Sequence, residues 1–219
     1  MGAKTWMLVY ADGKVPEILK SNPTLDRDAS VAFAQELFPS AKLEVIGNGD
    51  LSFTCPSGGE IHIGCFPGLS IVAADDFAGD YPSKLAPGFL AAAKGRTVYL
   101  HAMHSVVDWF AYAIWEGGQL RRSLSLSPDS GILEDIGPRL AFEEPYWSGK
   151  HPVSFADDPE DEEDYPFPFH PLELGEAALL ALFGYQLEGM IVPGSLEPEQ
   201  IPLVKLKEIE PLRPWWKFW

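Results

Sequence analysis

The chain has 219 residues, 46% hydrophobic and 12% aromatic, enough apolar surface to bury a sizeable core without metal or disulfide staples. Thirty-two acidic residues against 16 basic ones give a formal charge of -16, and no Lys/Arg cluster offsets that field, so a nucleic-acid partner is not expected, and a basic protein partner, or simply good solubility, fits the charge better. Two cysteines exclude a disulfide framework, and no run approaches the roughly 18 apolar residues of a bilayer span, so no membrane partner is expected either.

Lys4 to Ala11 is dense in Trp, Val and Tyr and ends at Asp12-Gly13, which predicts a buried central strand. A short helical piece follows around Pro16 to Lys20. Asp26 is placed to cap a helix whose stripe is Phe33, Ala34, Leu37 and Phe38, and Pro39 stops it. Four short strands are expected next: Leu43 to Ile46, Leu51 to Cys55, Glu60 to Phe66 and Leu69 to Ala74, with Gly/Pro/Asn/Ser turns between them. A two-residue loop at Gly58-Gly59 would set Cys55 opposite His62 and place Cys65 on the other face, so no bridge is expected.

Pro82 to Lys94 reads as a broken helix closed by Gly95, with Asp75, Asp76 and Asp80 ahead of it as capping carboxylates. Thr97 to Ala102 is another apolar strand. The clearest local signal is a hairpin from Trp109 to Ser127 turning at Gly117-Gly118. Its expected register pairs Trp115 with Leu120, Ala113 with Arg122, Ala111 with Leu124 and Trp109 with Leu126. That register makes one face core and leaves the other, with Phe110, Tyr112 and Ile114 against Arg121, Ser123 and Ser125, half wet.

Gly131 to Ile136 is a further strand candidate. Pro138 to Pro171 is expected to be irregular, and Asp157 to Asp164 holds seven carboxylates in eight residues, a solvated loop without the glycine a calcium loop needs. A helix starts at Pro171 with Leu179, Leu182, Phe183 and Leu187 on one face and a stop at Gly189. The expected organisation is a single α+β domain over residues 1–190, a largely antiparallel sheet packed by about three helices. Residues 191–219 are expected to be an extended tail ending in a Trp-rich segment.

Three groups of side chains carry candidate chemistry. His101, His104 and Asp108 place two imidazoles and a carboxylate within eight residues, able to ligate a metal or shuttle a proton, although residues three apart on a strand face opposite sides unless the chain turns after Met103. Glu143, Glu144, Tyr146, Trp147, Lys150 and His151 cluster on a Pro- and Gly-containing loop of the kind used for binding, or Tyr146 and Trp147 cap an open end of the core. Trp215, Trp216 and Trp219 form an aromatic cluster that docks on its own domain, on a second copy or on another protein. His62 and His170, beside apolar residues, read as structural. No phosphate loop, dinucleotide fingerprint, nucleophile elbow or HExxH motif is present, and no metal or cofactor is expected.

Several stretches together, among them His101-Ala-Met-His-Ser-Val-Val-Asp-Trp109, Arg122-Ser-Leu-Ser-Leu-Ser-Pro-Asp129, Pro145-Tyr-Trp147 and Pro168-Phe-His-Pro-Leu-Glu-Leu-Gly-Glu176, resemble an uncharacterised actinobacterial family, a domain of unknown function. The resemblance spans most of residues 1 to about 187 and implies a bacterial cytoplasmic protein without implying an activity. Three roles remain in play: an acidic protein-interaction or immunity-like module, a hydrolase-type or metal-assisted enzyme centred on His101, His104 and Asp108, and a structural subunit of a larger assembly.

Overall fold

The structure, a computed structural model, describes residues 2–153 and 165–209. Nine strands form one antiparallel sheet. In chain order they are β1 (Lys4–Ala11), β2 (Leu43–Asp50), β3 (Glu60–Phe66), β4 (Leu69–Ala73), β5 (Thr97–His104), β6 (Trp109–Glu116), β7 (Gln119–Ser127), β8 (Gly131–Ile136) and β9 (Pro202–Glu208). Their spatial order is β2-β9-β3-β4-β1-β5-β6-β7-β8, so β1 occupies the centre, as its apolar run predicts.

Five α-helices are described: α1 (Val15–Lys20), α2 (Arg27–Leu37), α3 (Pro87–Ala91), α4 (Glu144–Trp147) and α5 (Pro171–Phe183). They divide between the two sheet faces. Val15 and Leu19 of α1, Tyr146 of α4, and Leu174, Leu179 and Phe183 of α5 pack with Met7, Val9, Phe110 and Tyr112. Phe33, Ala34 and Leu37 of α2 and Phe89 of α3 pack with Leu8, Tyr10, Ala111 and Trp115 on the opposite face. An α+β class is therefore observed, with a core on each side of the sheet.

Local capping follows the residues. The Asp26 carboxylate accepts from the Ala29 amide at 2.9 Å, and Ser30, one turn in, donates to the Asp26 carbonyl. Pro171 opens α5, where the His170 ring accepts from the Leu172 amide. The helix ends sooner than its hydrophobic stripe suggests, at Gly184 with φ 87°, because the left-handed cap returns the chain before Leu187.

Several expectations are corrected. β2 runs straight through Gly47-Asn48-Gly49 rather than turning there, with a register shift between Val45 and Gly47. Leu51 to Cys55 is not a strand of the sheet, so Cys55 does not pair with His62. β3 lies between β4 and β9, while Thr54 bridges Thr5 where β4 has already stopped at Ala73. The cysteines are nonetheless separate and free. None of the expected carboxylates caps the turn at Pro82–Lys84; Asp75 accepts from the Gly58 amide instead.

The β6–β7 hairpin keeps Trp115 opposite Leu120, but Arg121 bulges out, and Ile114 then pairs with Arg122. Every pair beyond is displaced by one: Ala113 with Ser123, Tyr112 with Leu124, Ala111 with Ser125, Phe110 with Leu126. One slipped residue moves Leu124, Leu126 and Arg122 onto the face of Phe110 and Tyr112. Neither face is wet, since Phe110, Tyr112, Ala111, Trp115, Ser123 and Ser125 are all buried. The stretch expected to be an extended tail supplies β9, an interior strand between β2 and β3. The acidic loop 157–164 and Trp215, Trp216 and Trp219 lie outside the described residues.

Candidate functional site

β5 carries His101 and His104 on alternating sides, as strand geometry requires. His101 is fully buried among Phe110 and Phe183. Its Nε2 lies 3.0 Å from the Gly175 carbonyl, which can only accept, so Nε2 carries the proton and Nδ1 accepts from the Thr5 hydroxyl at 2.7 Å. Both ring nitrogens are thus used. Burial pushes the pKa down to about 4, only partly offset by the Gly175 carbonyl, so the ring is neutral at physiological pH.

His104 is half-buried, stacks on Trp6 at 5.8 Å and accepts from the Val106 amide. Burial, with Lys4 nearby, holds its pKa below the usual value. Asp108 sits in the β5–β6 turn with φ 46° and pairs with His170 at 3.5 Å. His101, His104 and Asp108 therefore have separate partners and do not share one pocket: His101 braces β1, β5 and α5, whereas Asp108 and His170 tie the turn to the start of α5.

The second predicted cluster is mostly a core cap. Tyr146 is buried, stacks on His151 at 4.3 Å and meets Phe169 edge-on. Trp147 is half-buried beneath the Arg139 guanidinium, 4.1 Å from the ring centroid, while Lys150 and His151 are exposed. What holds this cluster in place is a buried ion pair between Glu143, already a member of the expected cluster, and Arg122, a partner the sequence did not reveal. Arg122 Nε and Nη2 grip Glu143 Oε1 and Oε2 at 3.0 and 2.6 Å. Glu143 also accepts from the Tyr112 hydroxyl, the Leu140 amide at 2.7 Å and the Trp147 indole at 3.4 Å. Arg122 Nη1 reaches Asp135 and the carbonyls of Ile136 and Gly137. Burial alone would weaken the guanidinium's hold on its proton, but the carboxylates of Glu143 and Asp135 more than reverse this. The available signal was an arginine alone among apolar strand positions.

A cleft of about 1220 Å³ opens beside the start of β1. Its walls are Gly2 to Lys4 and Trp6, Ser52, Phe53, Cys55 and Ser57, the β5–β6 turn from His104 to Val106, and residues of the loop 186–199. Phe53, Val106, Ile191 and Val192 stand exposed on these walls at 49, 74, 54 and 43%. Glu188, Glu197 and Glu199 supply negative charge, and Lys4 is the basic residue lining the cleft. The sequence signal for this surface was Met190-Ile191-Val192 in a loop bounded by Gly189 and Pro193-Gly194.

Glu176 of α5 fixes the start of that loop. Its Oε2 accepts from the Leu187 amide at 2.8 Å, while Oε1 is buried without a partner. Burial raises its pKa to about 6, against the pull of the Leu187 and Glu188 amides. Cys55, also on the cleft wall, has its thiol pKa raised by burial, contrary to what an activated nucleophile needs. Among the described residues, no three His, Cys, Asp or Glu side chains converge to hold a metal ion. Likewise, no helix among them is long and apolar enough to cross a membrane.

No curated protein and no solved structure matches the chain. A family model does match, over residues 5–206, a span that runs from the central strand into β9 and takes in the cleft apart from its Gly2–Lys4 wall, and the Arg122–Glu143 pair. With nearly the whole described fold inside that match, the chain belongs to the family of unknown function DUF6928.

Proposed function

We propose that this protein is a non-enzymatic interaction module that holds an apolar segment of a basic protein partner in the cleft beside the start of β1. The observation that carries this reading is the exposure of Phe53, Val106, Ile191 and Val192 around one concavity. Large apolar side chains left in water together are a feature of interaction sites. Anchors in a pocket surrounded by a polar rim are how protein interfaces concentrate their affinity. The rim here is acidic, through Glu188, Glu197 and Glu199, and the whole chain carries -16, so the complementary segment bears Lys or Arg beside its apolar anchors. An immunity-like role, neutralising a basic partner, is one form of this reading.

The enzyme alternative centred on His101, His104 and Asp108 has no comparable support. His101 already spends both nitrogens on Thr5 and Gly175, and Asp108 is engaged with His170.

A displayed peptide library selected on the purified protein tests the proposal, followed by calorimetry with the selected peptides. Selected sequences should combine Leu, Ile, Phe or Trp with Lys or Arg. Phe53→Asp and Ile191→Asp should each weaken binding by about tenfold or more at unchanged melting temperature. Peptides that bind both variants as well as wild type would overturn the assignment of the cleft.

A further inference from the structure

A second concavity, about 420 Å³, lies between the end of α2 and the start of α3. Leu37, Phe38, Ala86, Gly88 and Phe89 give it an apolar lining, with Phe38 and Phe89 edge to face at 5.5 Å. Two exposed carboxylates, Asp76 and Glu208, stand at its rim. Glu208 is the last residue of β9. The Ile209 amide then donates to the Lys42 carbonyl at 2.8 Å, next to Ala41 of the same lining, so the chain leaves the sheet at the groove's edge.

We infer that this groove is the docking site, within the same molecule, of the segment Pro214-Trp-Trp-Lys-Phe-Trp219. Three observations select that occupant. The segment begins five residues after Ile209, a stretch that spans at most roughly 18 Å. Its side chains are the most aromatic in the sequence, and the groove offers an aromatic wall at the small end of the size range of binding pockets. Residues 211–219 contain Arg213 and Lys217 and no acid, in a chain of net charge -16, and the charged residues lining the groove are the carboxylates Asp76 and Glu208. Docking within one chain also needs no second molecule, because β9 delivers the segment at a high effective concentration.

The test compares the full chain with a version ending at Ile209, by amide hydrogen exchange at several protein concentrations. Light scattering reports the mass of each sample. Docking predicts that the amides of Leu37 to Ala41 and of Gly88 to Phe89 exchange about tenfold more slowly in the full chain, independent of concentration and with monomer mass. Gly88→Arg fills the groove at a position where an added Cβ meets nothing within 4 Å, so this variant folds and loses the difference. Three results would overturn the inference: equal exchange in the two chains, protection that grows with concentration together with dimer mass, or protection that survives Gly88→Arg.

Discussion

Replacing Glu143 tests whether the Arg122 pair organises the α4 corner. Glu143 is wholly buried and Arg122 is 1% exposed, so neither charge is screened by water. Breaking a buried pair from one side costs about 3–5 kcal/mol, because the remaining charge stays buried. For Glu143→Gln the loss should fall near the lower limit, about 3 kcal/mol, since Arg122 keeps Asp135 and the Ile136 and Gly137 carbonyls. Glu143→Ala goes further. The Tyr112 hydroxyl and the Leu140 amide also lose their acceptor, at about 1 kcal/mol or more each, bringing the total to about 5 kcal/mol. The double variant Arg122→Met/Glu143→Leu removes both charges, and should be more stable than Glu143→Ala alone. Urea unfolding with an unchanged slope is the assay. A Glu143→Ala variant within 1 kcal/mol of wild type, or a double variant as unstable as the two single losses added, would refute the reasoning.

Two further predictions concern pH. His101 has a folded pKa of about 4 against the usual 6.5, so the unfolded chain takes up the proton first, and stability drains away as pH falls from about 6.5 to about 4, by about 3 kcal/mol. His101→Gln should remove this slope, and a variant with the wild-type acid profile would contradict the depressed pKa of His101 as its source. Glu176 acts in the opposite sense: its folded pKa is raised to about 6 from 4.5, so its contribution is best below about 4.5 and worsens by about 2 kcal/mol as pH rises through about 6. Glu176→Gln, whose side-chain oxygen still accepts from Leu187, should be the more stable protein at pH 7 and lose that advantage at pH 4. An equal gap at both values would show that the carboxylate does not titrate between them.

The sequence was most legible where structure is set locally. Lys4–Ala11, Glu60–Phe66 and Gly131–Ile136 are strands because their own residues favour strands, and Asp26 caps because its carboxylate reaches an amide three residues on. It was least legible where pairing is decided at a distance. Pro202–Glu208 alternates too weakly to announce itself and becomes β9 because β2 and β3 leave a gap of one strand for it. Arg121 is an ordinary exposed residue in isolation. Only the need to bring Arg122 onto Glu143 and Leu124 into the α5 core explains why the hairpin bulges there. The expected histidine site failed for a related reason. Counting along β5 puts His101 and His104 on alternate sides, but it cannot show that Gly175, 74 residues later, supplies the acceptor that makes His101 structural.

A sheet covered on both faces has little left to offer a partner except its edges, its ends and the loops that pass over it. The β6–β7 end is polar, with Glu116, Gln119 and Arg121 exposed and Arg121 paired to Glu116. The opposite end of those strands leads into the β5–β6 turn, where Val106 and Val107 are exposed, and the loop 186–199 adds Met190, Ile191 and Val192. With Phe53, these are six of the eleven large apolar side chains left in water among the described residues, and they line or adjoin one cleft. Folding stability does not account for the part of these side chains left in water, since exposed apolar surface contributes nothing to it and favours aggregation. A segment that covers them when bound accounts for both their chemistry and their common location.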